Sequence, residues 1–119
     1  MPRRSQLVYL QEMLEWSREA LNYCEHRTLQ AIEKDTPGQS HLIRALSIIG
    51  EAAGRISPQL RGRHPEIPWQ GMIAMRNILI HAYWDVDMAI VWKTASEMVP
   101  DLIPRLENLI ALEQQSEQE

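Results

Sequence analysis

Pro68-Trp69-Gln70-Gly71-Met72-Ile73-Ala74-Met75-Arg76-Asn77-Ile78-Leu79-Ile80-His81-Ala82-Tyr83 is the most apolar helix-like stretch of the chain. Its last eight residues hold a permanent cation, a carboxamide, an imidazole and a phenol. Removing such groups from water without partners is costly, so a segment this apolar needs a reason to carry them. At about 100° per residue, Gln70, Asn77 and His81 fall on one narrow line. Arg76 and Tyr83 share a different edge, and Arg76 and His81 stand about 140° apart. Two arrangements bring them to one point: the helix unwinds before His81, or a second copy of the chain completes the site. The apolar remainder leaves little surface for solvent, which favours a helix wedged at a two-fold homodimer interface. Four tryptophans and six methionines supply side chains that interfaces favour.

Outward from this stretch the chain reads as helix throughout. Leu7, Leu10, Leu14, Leu21 and Cys24 recur at helical spacing and predict a first helix over about 4–33, with Ser5 near its start. Asp35-Thr36-Pro37-Gly38 is a stop-and-restart signal with Thr36 as N-cap and Pro37 at the first helical position. A second helix over 38–57 carries the seam Leu42, Leu46, Ile49, Ala53, Ile56. Gly50, Ala53 and Gly54 leave a small-residue surface on it for another helix. Ser57-Pro58 ends that helix, and 58–67 read as a basic connector. Pro68 starts the third helix, Asp87 caps a fourth, and Pro100 and Pro104 kink or split the fourth. Residues 113–119 read as a polar, frayed tail. With no strand alternation and no internal repeat, the expected fold is all-α: an antiparallel up-and-down bundle of four or five helices, one domain over 1–119.

Composition narrows the function classes. The chain has 119 residues, 45% hydrophobic and 24% charged, with a net charge of -4; this is globular, and no general basic coat for nucleic acid exists. The charge is uneven: Arg44, Arg55, Arg61, Arg63 and Arg76 face only Glu51 and Glu66 between 44 and 76. The single Cys24 excludes an intrachain disulfide and leaves a Cys-based zinc site short of ligands. Asp85 and Asp87 read as turn and cap residues, so no metal site is expected. No apolar run is long enough to span a bilayer, and the expected location is the cytoplasm.

Arg76, four residues, His81, one residue and Tyr83 at the end of an apolar helix resemble the HepT-like branch of the HEPN-domain ribonucleases. Ile48-Ile49-Gly50-Glu51-Ala52-Ala53, Arg63-His64-Pro65-Glu66-Ile67-Pro68-Trp69 and Tyr83-Trp84-Asp85-Val86-Asp87 carry the same resemblance, which covers about 42–103. It implies a HEPN-like bundle acting as a homodimeric, metal-independent RNA endonuclease, the toxin of a type II toxin–antitoxin pair. It also implies a minimal nucleotidyltransferase antitoxin that uses ATP to transfer AMP onto Tyr83, while the toxin itself needs no cofactor. Ala82 stands where many relatives carry Gly, and this bears on how the chain turns before Tyr83.

The chemistry is compatible with these residues. RNA supplies its own nucleophile, the 2′-OH, so the protein needs only proton transfer and charge stabilisation. An imidazole such as that of His81 serves as acid or base near neutrality. A guanidinium such as that of Arg76 grips phosphate oxygens with two prongs. Asn77 is placed to orient His81 one turn away, or to cap the local backbone. Blander readings stand beside these: His81 as a satisfied interface histidine, and Tyr83 as a packing group with a bonded hydroxyl. Arg55, Arg61 and Arg63 are either solvated charges or contacts to the backbone of a tRNA or mRNA substrate. Glu51 is expected to pair with Arg55 or Arg76. The runner-up function is a non-catalytic helical subunit that binds a nucleotidyltransferase or presents substrate to it.

Overall fold

A computed structural model describes residues 5–118, apart from the side chains of Tyr83 and Gln118. The described residues are helices joined by short turns. In order they are α1 (Gln6–Cys24), α2 (Leu29–Glu33), α3 (Thr36–Arg55), α4 (Pro58–Arg63) and α5 (Trp69–His81). A 3-10 turn at Tyr83–Asp85 leads to α6 (Met88–Lys93), a π-turn at Thr94–Met98 and α7 (Val99–Gln118). The long helices form the all-α antiparallel bundle expected from the sequence, within an envelope of 50 × 29 × 23 Å.

Helix α3 is the central member. Its seam residues Leu42, Leu46, Ile49, Ala53 and Ile56 are all buried, and they meet α1 on one side and α5 on the other. Leu10, Met13, Ala20 and Cys24 fill the α1 side of the same core, which Leu102, Leu106 and Leu109 of α7 complete. Burying side chains of this size contributes about 1.5–3 kcal/mol each, before conformational entropy is set against it. At Gly50, α3 and α5 come close enough that a Cβ would sit 2.4 Å from the Met72 carbonyl oxygen and 2.4 Å from Arg76 Cβ. The small-residue surface read from the sequence is therefore the seat of α5.

Several expected boundaries move. The first helix does not run over 4–33: α1 ends at Cys24, and α2 is a separate turn starting after Thr28. The break depends on His26, a non-glycine residue at φ 63°, and on Thr28, whose side chain caps α2 by accepting from the Ala31 amide at 3.1 Å. Arg4, the first residue of that expected helix, lies outside the described residues. Asp35, not Thr36, is the N-cap of α3; its carboxylate accepts from the Gly38 amide at 3.1 Å. The connector after Ser57 holds a helix, α4, capped by the Ser57 hydroxyl and begun by Pro58.

The kink expected near Pro100 takes a specific form. Proline offers no amide to the carbonyl four residues earlier and crowds it, and the turn before it widens into the π-turn at Thr94–Met98. Thr94 and Ser96 hydroxyls donate to the Ile90 and Trp92 carbonyls at 2.8 and 2.7 Å. Pro104 stays inside α7. The tail expected to fray beyond residue 112 instead continues as α7 through Gln118. The Ser5 hydroxyl donates to Glu117 at 2.7 Å, and Arg18 pairs with Glu107 at 2.9 Å, fastening α7 to α1. None of the described helices is long and apolar enough to cross a membrane.

Candidate active site

Helix α5 is seated by Trp69, Met72 and Leu79, all buried. The Trp69 indole donates to the His64 carbonyl at 2.9 Å and fixes where the helix begins. From there α5 stays helical through His81, so the backbone does not unwind between Arg76 and His81. The sequence alternative of a helix that opens before His81 is thereby set aside. Gln70, Ala74, Asn77 and His81 lie on one exposed stripe of α5, and Arg76 keeps its place on a neighbouring edge, about 140° from His81.

Arg76 is half-buried because its stem packs at Gly50 of α3. Its Nη1 donates to Asn77 Oδ1 at 3.2 Å, and its buried Nε has no hydrogen-bond partner among the described residues. Glu51 resolves the expected choice of partner by pairing with Arg55 at 3.3 Å. No acid lies within ion-pair distance of Arg76 among the described residues. Its charge is thus open to an external anion. Asn77 contacts Arg76, with no recorded bond to His81. The His81 ring is exposed.

The surface around the stripe is unusually apolar. Ile78, Ile80, Trp84 and Ile90 are 55%, 41%, 75% and 54% exposed, and surfaces of this kind mark interaction sites when they are contiguous. The turn after His81 needs no left-handed residue: Ala82 has φ -133°, so an alanine is accommodated there without strain. Tyr83 begins the 3-10 turn; its side chain, and with it the expected modification, lies outside the described residues. Asp87 caps α6 by accepting from the Ala89 amide at 2.9 Å. Among the described residues, no group of three or more His, Cys, Asp or Glu side chains is placed to hold a metal ion.

The three arginines considered for RNA contact separate. Arg55 sits on the outer face of α3, bound to Glu51 and 5.9 Å from the Tyr9 ring centroid; these partners raise its pKa, the bond with Tyr9 contributing most. Arg63 reaches Glu113 at 3.9 Å. The Arg61 side chain has no hydrogen-bond or ion-pair partner among the described residues, and its Nε is buried. The sequence marked Gly50 as a place where another helix approaches, without saying that Arg76 would sit on it. The donation from Arg105 to the Glu66 carbonyl, which ties α7 to the turn before α5, escaped the sequence reading.

The chain is similar to known proteins over most of its length. The family described as Ribonuclease HepT-like matches residues 13–109. The protein of Thermococcus cleftensis named "Probable ribonuclease HepT" is 38% identical over 107 residues, spanning 90% of this chain and 97% of its own. A provisionally named RNase of Methanocaldococcus jannaschii is 30% identical over 110 residues, 92% of this chain and 91% of its own. Another, from Caldanaerobacter subterraneus, is 28% identical over 105 residues, 88% of this chain and 94% of its own. No solved structure matches the chain. With a family match over residues 13–109 and a relative 38% identical over 90% of this chain, the chain belongs to the Ribonuclease HepT-like family.

Proposed function

We propose that the protein is a metal-independent RNA endonuclease, the toxin of a toxin–antitoxin pair, with Arg76, His81 and Asn77 at its catalytic centre. The observation that carries the reading is Arg76, a half-buried guanidinium with no acid partner among the described residues, on the same helix as an exposed imidazole. In the reaction an imidazole takes the proton of the RNA 2′-OH, and the freed oxygen attacks the adjacent phosphorus. The P–O5′ bond breaks, and the departing 5′-oxygen takes a proton from an acid. The products are a 2′,3′-cyclic phosphate and a 5′-hydroxyl. Arg76 holds the phosphate oxygens as negative charge accumulates, and Asn77 orients the guanidinium through the Arg76–Asn77 bond. Metal is unnecessary because the nucleophile comes from the RNA itself.

The angular separation on an unbroken α5 supports a site completed by a second copy, so that Arg76 of one copy meets His81 of the other at each of two symmetry-related clefts. The exposed Ile78, Ile80, Trp84 and Ile90 supply apolar surface for that contact. A nucleotidyltransferase antitoxin silences the enzyme by transferring AMP from ATP to the Tyr83 oxygen, with pyrophosphate leaving. The added phosphate engages the Arg76 cation and blocks the cleft.

Purified protein, shown unmodified by intact mass, tests the reading on total RNA and tRNA with EDTA present. Cleavage with 2′,3′-cyclic phosphate ends is expected, and Arg76→Ala and His81→Ala proteins of unchanged circular dichroism should each lose it. No cleavage by the unmodified protein would favour the non-catalytic partner subunit instead. Tyr83→Phe should escape silencing by antitoxin and ATP; full silencing would contradict the modification.

A further inference from the structure

The exposed stripe of α5 does not end at the histidine's neighbourhood. It runs back through Asn77 and Ala74 to Gln70, eleven residues and about 16 Å from His81. Gln70 opens there into a concavity of about 510 Å³ between α4 and the start of α5. Pro58, Pro65, Pro68 and Trp69 form much of its wall, and Arg61 supplies its cation. The volume lies within the range of about 300–1,000 Å³ typical of small-molecule sites. Among the residues lining it there is no acid. The groove between α1 and α3 differs: Glu12, Glu15 and Glu51 line it together with Arg44 and Arg55, a balance that repels a polyanion as much as it attracts one.

Arg61 distinguishes this concavity further. Its guanidinium has no recorded hydrogen bond or ion pair among the described residues, and its buried Nε lacks a partner. A guanidinium without an acid partner is the group that grips phosphate oxygens with two prongs. The proline faces give a flat apolar wall of the kind a nucleobase can pack against, and Gln70 offers a carboxamide at the rim.

We infer that this concavity is an RNA subsite: it holds a phosphate and base of the substrate strand a few nucleotides from the bond cut, with Arg61 on the phosphate. The inference rests on the ribonuclease reading above and adds a path to it, since the strand would lie along α5 between Arg61 and His81. Extended RNA therefore gains an interaction that a dinucleotide cannot reach.

The test compares a dodecaribonucleotide of mixed sequence with a dinucleotide as substrates for the parent, Arg61→Ala and Arg61→Lys proteins. The ratio of kcat/KM on the long substrate to that on the short one should fall about tenfold in Arg61→Ala, through KM. Affinity for a 2′-O-methyl dodecanucleotide, which cannot be cut, is followed by fluorescence anisotropy against salt. The slope of log affinity on log salt should shrink by about 0.7 in Arg61→Ala, one single-strand phosphate contact, and return in Arg61→Lys. An unchanged ratio and slope would overturn the subsite while leaving the ribonuclease intact. Should the parent cut neither substrate, the slope alone decides: its loss in Arg61→Ala upholds the subsite although the ribonuclease reading fails. No RNA binding by the parent overturns both.

Discussion

Replacing Gly50 by alanine tests the helix contact on which the candidate site is built. The new Cβ would lie 2.4 Å from the Met72 carbonyl oxygen and 2.4 Å from Arg76 Cβ. Neither atom is the free end of a flexible side chain, so α5 must retreat from α3 by about 1 Å to restore ordinary contact. Overpacking of this kind costs about 1–3 kcal/mol, and alanine's better helix propensity returns about 1 kcal/mol. The net expectation is a loss of up to about 2 kcal/mol, with Arg76 displaced alongside. Gly54→Ala is the control one turn later: its nearest neighbour is Ile73 Cγ1 at 3.9 Å, so it should gain about 0.5–1 kcal/mol. Urea unfolding at one fixed protein concentration reads both, as midpoint shifts at unchanged m-value. A Gly50→Ala protein as stable as Gly54→Ala would refute the close approach of α3 and α5.

Two further perturbations probe the supporting frame. The Tyr23 hydroxyl donates to Asp35 at 2.6 Å, and burial, then that bond, push its pKa up to about 12. An unfolded tyrosine ionises near about 10, so between about pH 10 and 12 the unfolded state loses a proton that the folded state keeps. Stability should therefore fall across that window in the parent, and Tyr23→Phe should remove this contribution; identical alkaline profiles would contradict the assignment. At the start of α4, the Ser57 hydroxyl accepts from the Leu60 amide at 3.2 Å, and Ser57→Ala should cost about 1 kcal/mol. Thermal unfolding should register this as a midpoint lowered by about 4 °C, with no shift expected if the cap is idle.

The parts legible in the sequence are those governed by periodicity and by residues with one dominant local behaviour. Leu42, Leu46, Ile49, Ala53 and Ile56 announced the α3 core, Asp87 the cap of α6, and Gly50 a close helix contact. The break at residues 25–28 was hidden because the apolar stripe continues through Cys24 toward Ile32, and no glycine or proline marks it. There the chain turns through His26 at positive φ, a conformation residue type seldom reveals outside Gly and Asn. Asp35 displaced Thr36 as cap because its carboxylate also receives Tyr23 from α1, a tertiary bond no local pattern encodes. At the site, the Arg76–His81 angle followed from helix geometry alone. The choice among possible partners of Glu51 depended on side-chain reach in three dimensions, as did the isolation of Arg61.

Mixing Arg76→Ala protein with His81→Ala protein measures the central claim directly. Each variant alone should leave tRNA uncut in EDTA. After subunit exchange, a mixed dimer unites Arg76 of one copy with His81 of the other at one of its two clefts. Cleavage should then return to about a quarter of the parent rate, because half the dimers are mixed and each has one intact cleft. A mixture as inactive as its components, with exchange verified by native mass spectrometry, would contradict a site shared between two copies.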